Sequence, residues 1–211
     1  MIRTLAIDCA TEACSVAHFD GDMVVASDHV VLGRGHAERL VPMIAGLPDK
    51  GQADRILVSC GPGSFTGVRI GIATARALGF AWNASVSGYP ALALVAATAR
   101  QISGHCDREP LLACMTGGHG EWFLQEYGPD GVPLAEHVAL PPHEAVTRFH
   151  TAVIAGTQAQ AFAALRGSGE ALDTVPDARY ARAIPPALLM NGAVPLYGRA
   201  PDAKLPNAAT G

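Results

Sequence analysis

The run Gly61-Pro62-Gly63-Ser64-Phe65-Thr66-Gly67-Val68-Arg69-Ile70-Gly71 concentrates the residue types that can meet an anion. It follows a short apolar strand, Ile56–Ser59, and precedes a long small-residue segment from Val68 to Trp82. A strand, a glycine loop and a helix start leave the first helical N–H groups without intrahelical partners, and such groups bind phosphate or carboxylate. Gly61, Gly63, Ser64, Thr66, Gly67 and Arg69 are therefore candidate anion- or nucleotide-proximal residues. The pattern is not a P-loop, since Gly67 is followed by Val68 and Arg69 where lysine and a magnesium-binding hydroxyl belong. It is not G-x-G-x-x-G either, because Thr66 stands where the third glycine belongs. The competing structural reading is a tight strand-to-helix turn packed beneath a sheet, its glycines there because no Cβ fits.

Two further chemistries bear on the same loop. Ser64 as a nucleophile would need the G-x-S-x-G elbow, but Pro62 and Thr66 flank it, and no spacing ties it to His36 and Asp8 as a triad. Ser64 or Thr66 reads better as the N-cap of the following helix. The segment Asp8-Cys9-Ala10-Thr11 resembles the first phosphate loop of the actin-like and sugar-kinase ATPases, which makes Asp8 and Thr11 candidates for a nucleotide-proximal site. Ala10 replaces the glycine that lets backbone approach phosphate, and Met115-Thr116-Gly117-Gly118 offers no second acid. One carboxylate without a mate is poorly equipped to hold magnesium. The five cysteines, Cys9, Cys14, Cys60, Cys106 and Cys114, read as buried reduced thiols. A metal site from His105, Cys106, Cys114 and His119 has no motif behind it, and no catalytic residue and no metal ligand are expected.

The elements that must position these residues follow from apolar periodicity. Leu5–Ile7, Cys14–Phe19 and Met23–Ala26 predict a meander with Gly21-Asp22 as its second turn. A helix is expected from His36, broken from the meander by Gly33-Arg34-Gly35. Its stripe, Ala37, Leu40, Met43, Ile44 and Leu47, faces one way, and Pro42 removes one backbone bond from it. A strand at Ile56, a helix after Gly67, a strand at Ser85–Gly88 and a helix over 90–100 complete the first lobe. The polar stretch Gln101–Pro110 marks a boundary, giving lobes 1–103 and 104–211. Strands at Leu111–Met115, Trp122–Tyr127 and Val153–Ala155 and a helix over Ala159–Leu165 echo the first half, and the tail from Pro185 reads as extended chain.

Composition narrows the function classes. Apolar residues make up 49% and charged residues 16% of the 211 positions, so the chain has material for an ordinary core and few charges to cover it. A partner subunit is a natural cover for the remaining apolar surface. The net charge of −4 and the absence of a Lys/Arg run argue against autonomous nucleic-acid binding. The first residues read as a strand rather than a leader, and no apolar run is long enough to span a bilayer, so a cytoplasmic location without membrane contact is expected.

Three segments carry a resemblance. Leu5-Ala6-Ile7-Asp8 with Thr11–Ala17, then Gly33–Ile44, and then the glycine loop with Ala73, Arg76, Gly79 and Phe80 resemble the TsaB (YeaZ) family. Gly120-Glu121, Pro195–Pro201 and Asp177-Ala178-Arg179-Tyr180 are similar to it more weakly, while Thr116-Gly117-Gly118 replaces the family's Asp-Ala-Arg triplet. The resemblance implies an α/β chain of the actin-like ATPase (ribonuclease H-like) fold, with two related lobes, each a mixed sheet flanked by helices. It implies a non-catalytic scaffold and activator that pairs directly with a TsaD homologue and works with the ATPase TsaE. That complex transfers threonylcarbamoyl to the tRNA adenosine 3′ of the anticodon. ATP and magnesium then belong to the complex, with no cofactor of the chain's own, and tRNA is reached through the partners. The family's first helix joins a helical bundle with the partner, so the stripe from Ala37 to Leu47 is either that interface or packing against its own sheet. An apolar docking face also accommodates a homodimer when the partner is absent. The alternatives are a glycoprotease-like peptidase acting on the partner, testable at Ser64 and His36, and a weak ATPase dependent on Asp8.

Overall fold

Residues 3–31 form the expected meander, and its strands are longer than periodicity alone predicts. In the computed structural model, which describes residues 2–104 and 109–196, β1 spans Arg3–Asp8, β2 Ala13–Asp20 and β3 Met23–Val31. β1 and β2 pair antiparallel from Arg3↔Asp20 to Asp8↔Ser15. β3 runs on to Val31 because all its residues but Val25 find a β2 partner, Val25 being passed over at one irregularity opposite His18/Phe19. Gly21, at φ 60°, closes the turn between them, a conformation that costs glycine nothing.

Helix α1 (His36–Ala45) starts at Gly35 in the left-handed region and continues through Pro42. Its apolar stripe splits. Leu40, Met43, Ile44 and Leu47 are at most 6% exposed and belong to the chain's own core. Only Ala37 of the expected interface faces outward, with Glu38, Arg39, Val41, Pro42 and Ala45. The expectation that Leu40, Met43, Ile44 and Leu47 are partner contacts is thus corrected. Periodicity shows which residues share a face, and here that face lies on its own sheet.

Strand β4 (Arg55–Ser59), helix α2 (Phe65–Trp82), strand β5 (Ser85–Tyr89) and helix α3 (Ala91–Ser103) follow. The second half repeats the plan with β6 (Leu111–Thr116), β7 (Trp122–Tyr127), β8 (Val138–Leu140), α4 (Pro142–Arg148), β9 (Val153–Ala155), α5 (Ala159–Arg166) and β10 (Glu170–Leu172). With β11 (Met190–Asn191), the sheets run β11-β5-β4-β1-β2-β3 and β10-β9-β6-β7-β8, so five strands of each stand in the same order. In both, two strands pair parallel to the first and an antiparallel hairpin flanks its other side. This is the actin-like ATPase arrangement, two related lobes each built on a mixed sheet with helices. α3 lies between the lobes, buried from Ala91 to Arg100 and packed on β6, β7 and β9.

The last described stretch departs from the expected boundary. Asp177–Ala183 turns back over β1, β2 and β3, and β11 (Met190–Asn191) adds antiparallel to β5. The assignment of 104–211 to one lobe, with an extended tail, is corrected accordingly. The last described stretch carries two 3-10 helices, Ala178–Ala183 of two turns and Pro186–Leu188 of one, and completes the first sheet. Alanine contacts against the first sheet, not local propensity, hold it there: Ala178 and Ala181 are buried in the shared core. His105, Cys106 and residues 197–201 lie outside the described residues.

Burial within α1 sets a stability contrast. Leu40→Ala is expected to lower unfolding free energy by about 3 kcal/mol, and Val41→Ala to change it by less than about 0.5 kcal/mol, as read by urea denaturation. Equal effects would show that Leu40 is not a core residue.

Candidate functional site

The glycine loop and the β1–β2 turn meet through bare backbone. A Cβ on Gly67 would sit 2.0 Å from the Cys9 carbonyl oxygen, and one on Gly63 would sit 2.2 Å from the Ala10 carbonyl oxygen. No side chain fits at either place. The Ser64 N–H donates to the Ala10 carbonyl at 2.7 Å, and the Ser64 hydroxyl accepts the Gly67 N–H at 3.2 Å as the N-cap of α2. Gly61, at φ 91°, accepts from the Ala91 N–H at 2.8 Å. The donors an anion would use at Ser64 and Gly67 are thus already engaged by protein. Thr66 and Arg69 are exposed on the first turns of α2, where the Arg69 guanidinium stacks 3.7 Å over the Phe65 ring. The structural reading of Gly63 and Gly67 prevails, because their positions demand backbone-to-backbone contact.

Asp8 ends β1 and is fully buried, and neither carboxylate oxygen meets a donor in hydrogen-bond geometry. Burial is the main cause that pushes its pKa up to about 7, and the Asp177 carboxylate adds to the rise. The Ser59 hydroxyl and the Ala10 amide lie near enough to hold part of the shift back. Above Asp8 lies the strap that leads out of the second lobe. The Ala178 N–H donates to Ser15 Oγ at 2.9 Å, and the Asp177 N–H donates to Thr98 Oγ1 at 3.3 Å. The Asp177 carboxylate accepts from the Arg179 guanidinium at 2.6 Å and from the Arg179 N–H at 2.9 Å. Sequence reasoning left Asp177 and Arg179 without a role. The one signal for them was the Asp-Ala-Arg-Tyr run.

The Thr11 hydroxyl accepts the Ala13 N–H at 3.2 Å. His36 bridges to the same turn, its Nε2 lying 3.0 Å from the Thr11 carbonyl and 3.1 Å from the Ala13 carbonyl. Both partners are acceptors, so Nε2 carries the proton and donates. His36, Ser64 and Asp8 therefore have separate engagements, and no hydrogen bond among the described residues links them into a triad. At the matching turn of the second lobe, no acid occurs from Leu111 to Gly120. The Thr116 hydroxyl accepts there from Gln158 at 2.8 Å, and the Thr116 N–H donates to the Thr157 hydroxyl at 3.2 Å. A Cβ on Gly156 would sit 2.3 Å from the Cys114 carbonyl, so this lobe repeats the bare-backbone contact.

These residues do not fit magnesium–ATP. The sole carboxylate at the phosphate-loop position is sealed from solvent, its mate is replaced by threonine, and the loop donors at Ser64 and Gly67 are spent on the protein. The four described cysteines are buried and free, with Cys9 and Cys14 sulfurs 3.7 Å apart. Among the described residues no cluster of three or more His, Cys, Asp or Glu could hold a metal ion, and no helix is long and apolar enough to cross a membrane.

Comparison with known proteins points one way. The family model described as TsaD, tRNA N6-adenosine threonylcarbamoyltransferase, matches residues 30–175. The Escherichia coli tRNA threonylcarbamoyladenosine biosynthesis protein TsaB is 36% identical over 134 residues, covering 61% of this chain and 56% of the relative. The Bacillus subtilis TsaB is 33% identical over 105 residues, covering 47% of this chain and 46% of the relative. The chain thus spans about half the length of these two curated relatives. The solved structure of YeaZ from Pseudomonas aeruginosa superimposes with a TM-score of 0.77 at 28% identity, covering 93% of this chain and all of that one. A second structure from that organism, described as similar to peptidase YEAZ, gives 0.80 at 27% identity, covering 94% of this chain and all of that one.

Asp8 makes stability depend on pH. Its folded value near 7 lies above the ordinary 3.8, so the folded state holds the proton more tightly than the unfolded chain. Its contribution is fully present below about pH 4 and is lost as pH rises to about 7, by at most about 4 kcal/mol. Urea denaturation at pH 5 and pH 8 is expected to show this loss in the natural chain and not in Asp8→Asn. A pH dependence unchanged in Asp8→Asn would assign it to another group. Gly67→Ala is expected to cost about 3 kcal/mol or prevent folding, because its Cβ meets backbone that cannot yield.

Proposed function

From the premise that the chain belongs to the family described as TsaD, tRNA N6-adenosine threonylcarbamoyltransferase, and within it to the TsaB (YeaZ) group, we propose that it is a non-catalytic scaffold and activator subunit in tRNA threonylcarbamoyladenosine synthesis. It pairs directly with a TsaD homologue, works with TsaE, and reaches tRNA through that cytoplasmic complex, to which ATP and magnesium belong. The observation that carries this reading is the pairing of a sealed phosphate-loop position with an open helical face. Asp8 is fully buried, while α1 and α2 turn Val41, Phe65 and Phe80 outward at 56%, 59% and 93% exposure.

That outward face suits docking. Ala37, Val41 and Ala45 on α1 and Ala73, Ala77, Phe80 and Ala81 on α2 are exposed, and small residues allow a partner helix to approach closely. Phe80 is a ring-sized anchor of the kind that dominates interfaces. The interface therefore moves from the inward stripe of α1 to this face, with Ala37 the one member of the original set retained. The same face serves a homodimer in the absence of the partner. The peptidase alternative loses its support at His36, whose Nε2 proton is committed to two carbonyls. The weak-ATPase alternative loses it at Asp8.

Co-expression with a tagged TsaD homologue tests the reading. Phe80→Asp together with Val41→Asp is expected to abolish co-purification while leaving the unfolding free energy of the isolated chain within about 0.5 kcal/mol. Retained pairing would remove the α1–α2 face as the interface. Threonylcarbamoyl transfer to tRNA is expected only when the partners are added, and Ser64→Ala and His36→Ala in the isolated chain should alter no peptide or ATP turnover above background.

A further inference from the structure

A cavity of about 330 Å³ lies between the first sheet and the returning strap, away from Asp8. Its floor follows from strand alternation. Val58 lies under α2, since a Cβ on Gly71 would touch it at 3.5 Å, so Arg55, Leu57 and Ser59 face the opposite side. Val86 lies under Gly79 of α2 in the same way, so Ser87 faces the strap. Arg55, Leu57 and Ser87 form the floor, and Arg182, Leu189 and Asn191 form the wall. Arg55 and Ser59, beside Asp8, sit four positions apart on β4, about 13 Å along the strand. The cavity is thus separate from the phosphate-loop position.

The charge inside it is unbalanced. Arg55 is half-buried, and its guanidinium has no hydrogen bond or ion pair among the described residues. The guanidinium groups of Arg34 and Arg39 also lack one, but these residues are exposed. A partly desolvated guanidinium without a partner is costly, and its fork of donors matches a carboxylate or phosphate. Arg182, on the opposite wall, pairs with Asp22, whose side chain is 87% exposed. An exposed pair of this kind contributes little, so Arg182 can turn to a ligand at small cost. Ser87 and Asn191 add a hydroxyl and an amide, and Leu57 and Leu189 supply apolar surface. The volume lies at the lower end of small-molecule sites.

We propose that this cavity binds a small organic anion, a single phosphate or carboxylate head on an apolar body of ring size, with Arg55 and Arg182 on the head and Leu57 and Leu189 on the body. The test uses the full isolated chain with phenyl phosphate, benzoate and inorganic phosphate as probes, followed by calorimetry and amide chemical shifts. Phenyl phosphate or benzoate is expected to bind with Kd below about 1 mM, the better of the two identifying the head group. Shifts should centre on Ser87 and Asn191, inorganic phosphate should bind at least tenfold more weakly, and Arg55→Gln should weaken binding at least tenfold. No saturable binding of either organic anion, shifts centred elsewhere, or affinity unchanged in Arg55→Gln would overturn the proposal. Inorganic phosphate binding as tightly as phenyl phosphate would overturn it too. If Arg55→Gln fails to fold, the shift map on the natural chain decides alone. The outcome is independent of partner pairing and tRNA modification, so it can fail without touching the proposed function.

Discussion

Two carbonyl oxygens, of Cys9 and Ala10, press against the α-carbons of Gly67 and Gly63, and the architecture of the first lobe rests on that contact. It fixes where α2 leaves β4, because the N-cap at Ser64 and the Ser64 N–H to Ala10 bond form only when the two loops touch. It holds the β1–β2 turn down over the sheet, with His36 clamping the turn from the other side. With the turn held there, Asp8 at the end of β1 lies beneath protein on every side. The second lobe uses the same device at Gly156 and Cys114. Duplication of the contact, more than of any side chain, makes the two halves alike.

A phosphate-handling fold needs its loops apart, with backbone donors open and acids facing one another. Here the loops are closed on each other, and the strap from Asp177 to Ala183 covers the inner face between the lobes. The carboxyl of Asp177 is paired with Arg179, and it still adds to the rise of the Asp8 pKa. The proposed role as a holding subunit follows from this division of labour. Inner surfaces are spent on self-contact, and the outer helical layer keeps unspent apolar groups such as Phe80.

Much of this was legible in the chain. The strands at Leu5, Cys14, Ile56, Leu111, Trp122 and Val153 stand where apolar runs place them, because each is buried on both faces or nearly so. The Ser64 cap was readable from residue type at a loop–helix junction. The short strands β8, β10 and β11, of two or three residues, were not, since pairing partners and not composition make them strands. The direction of the α1 stripe was equally hidden. Leu40, Met43, Ile44 and Leu47 share a face by spacing, yet only the sheet beneath decides whether that face is core or interface. The role of Asp8 was half readable. The residue type suggested phosphate chemistry, while the strap that buries it comes from about 170 positions later in the chain.

β11 adds a temporal asymmetry to the molecule. The outer edge of β5 has its hydrogen-bonding groups met by Met190 and Asn191, and the neighbouring Gly88 N–H by the Gly192 carbonyl. During synthesis that edge therefore stands bare while the whole second lobe is made. A nascent chain halted before Met190 presents an open strand, which a passing segment of another polypeptide can occupy instead. Completion of the first sheet thus waits until the whole second lobe has left the ribosome.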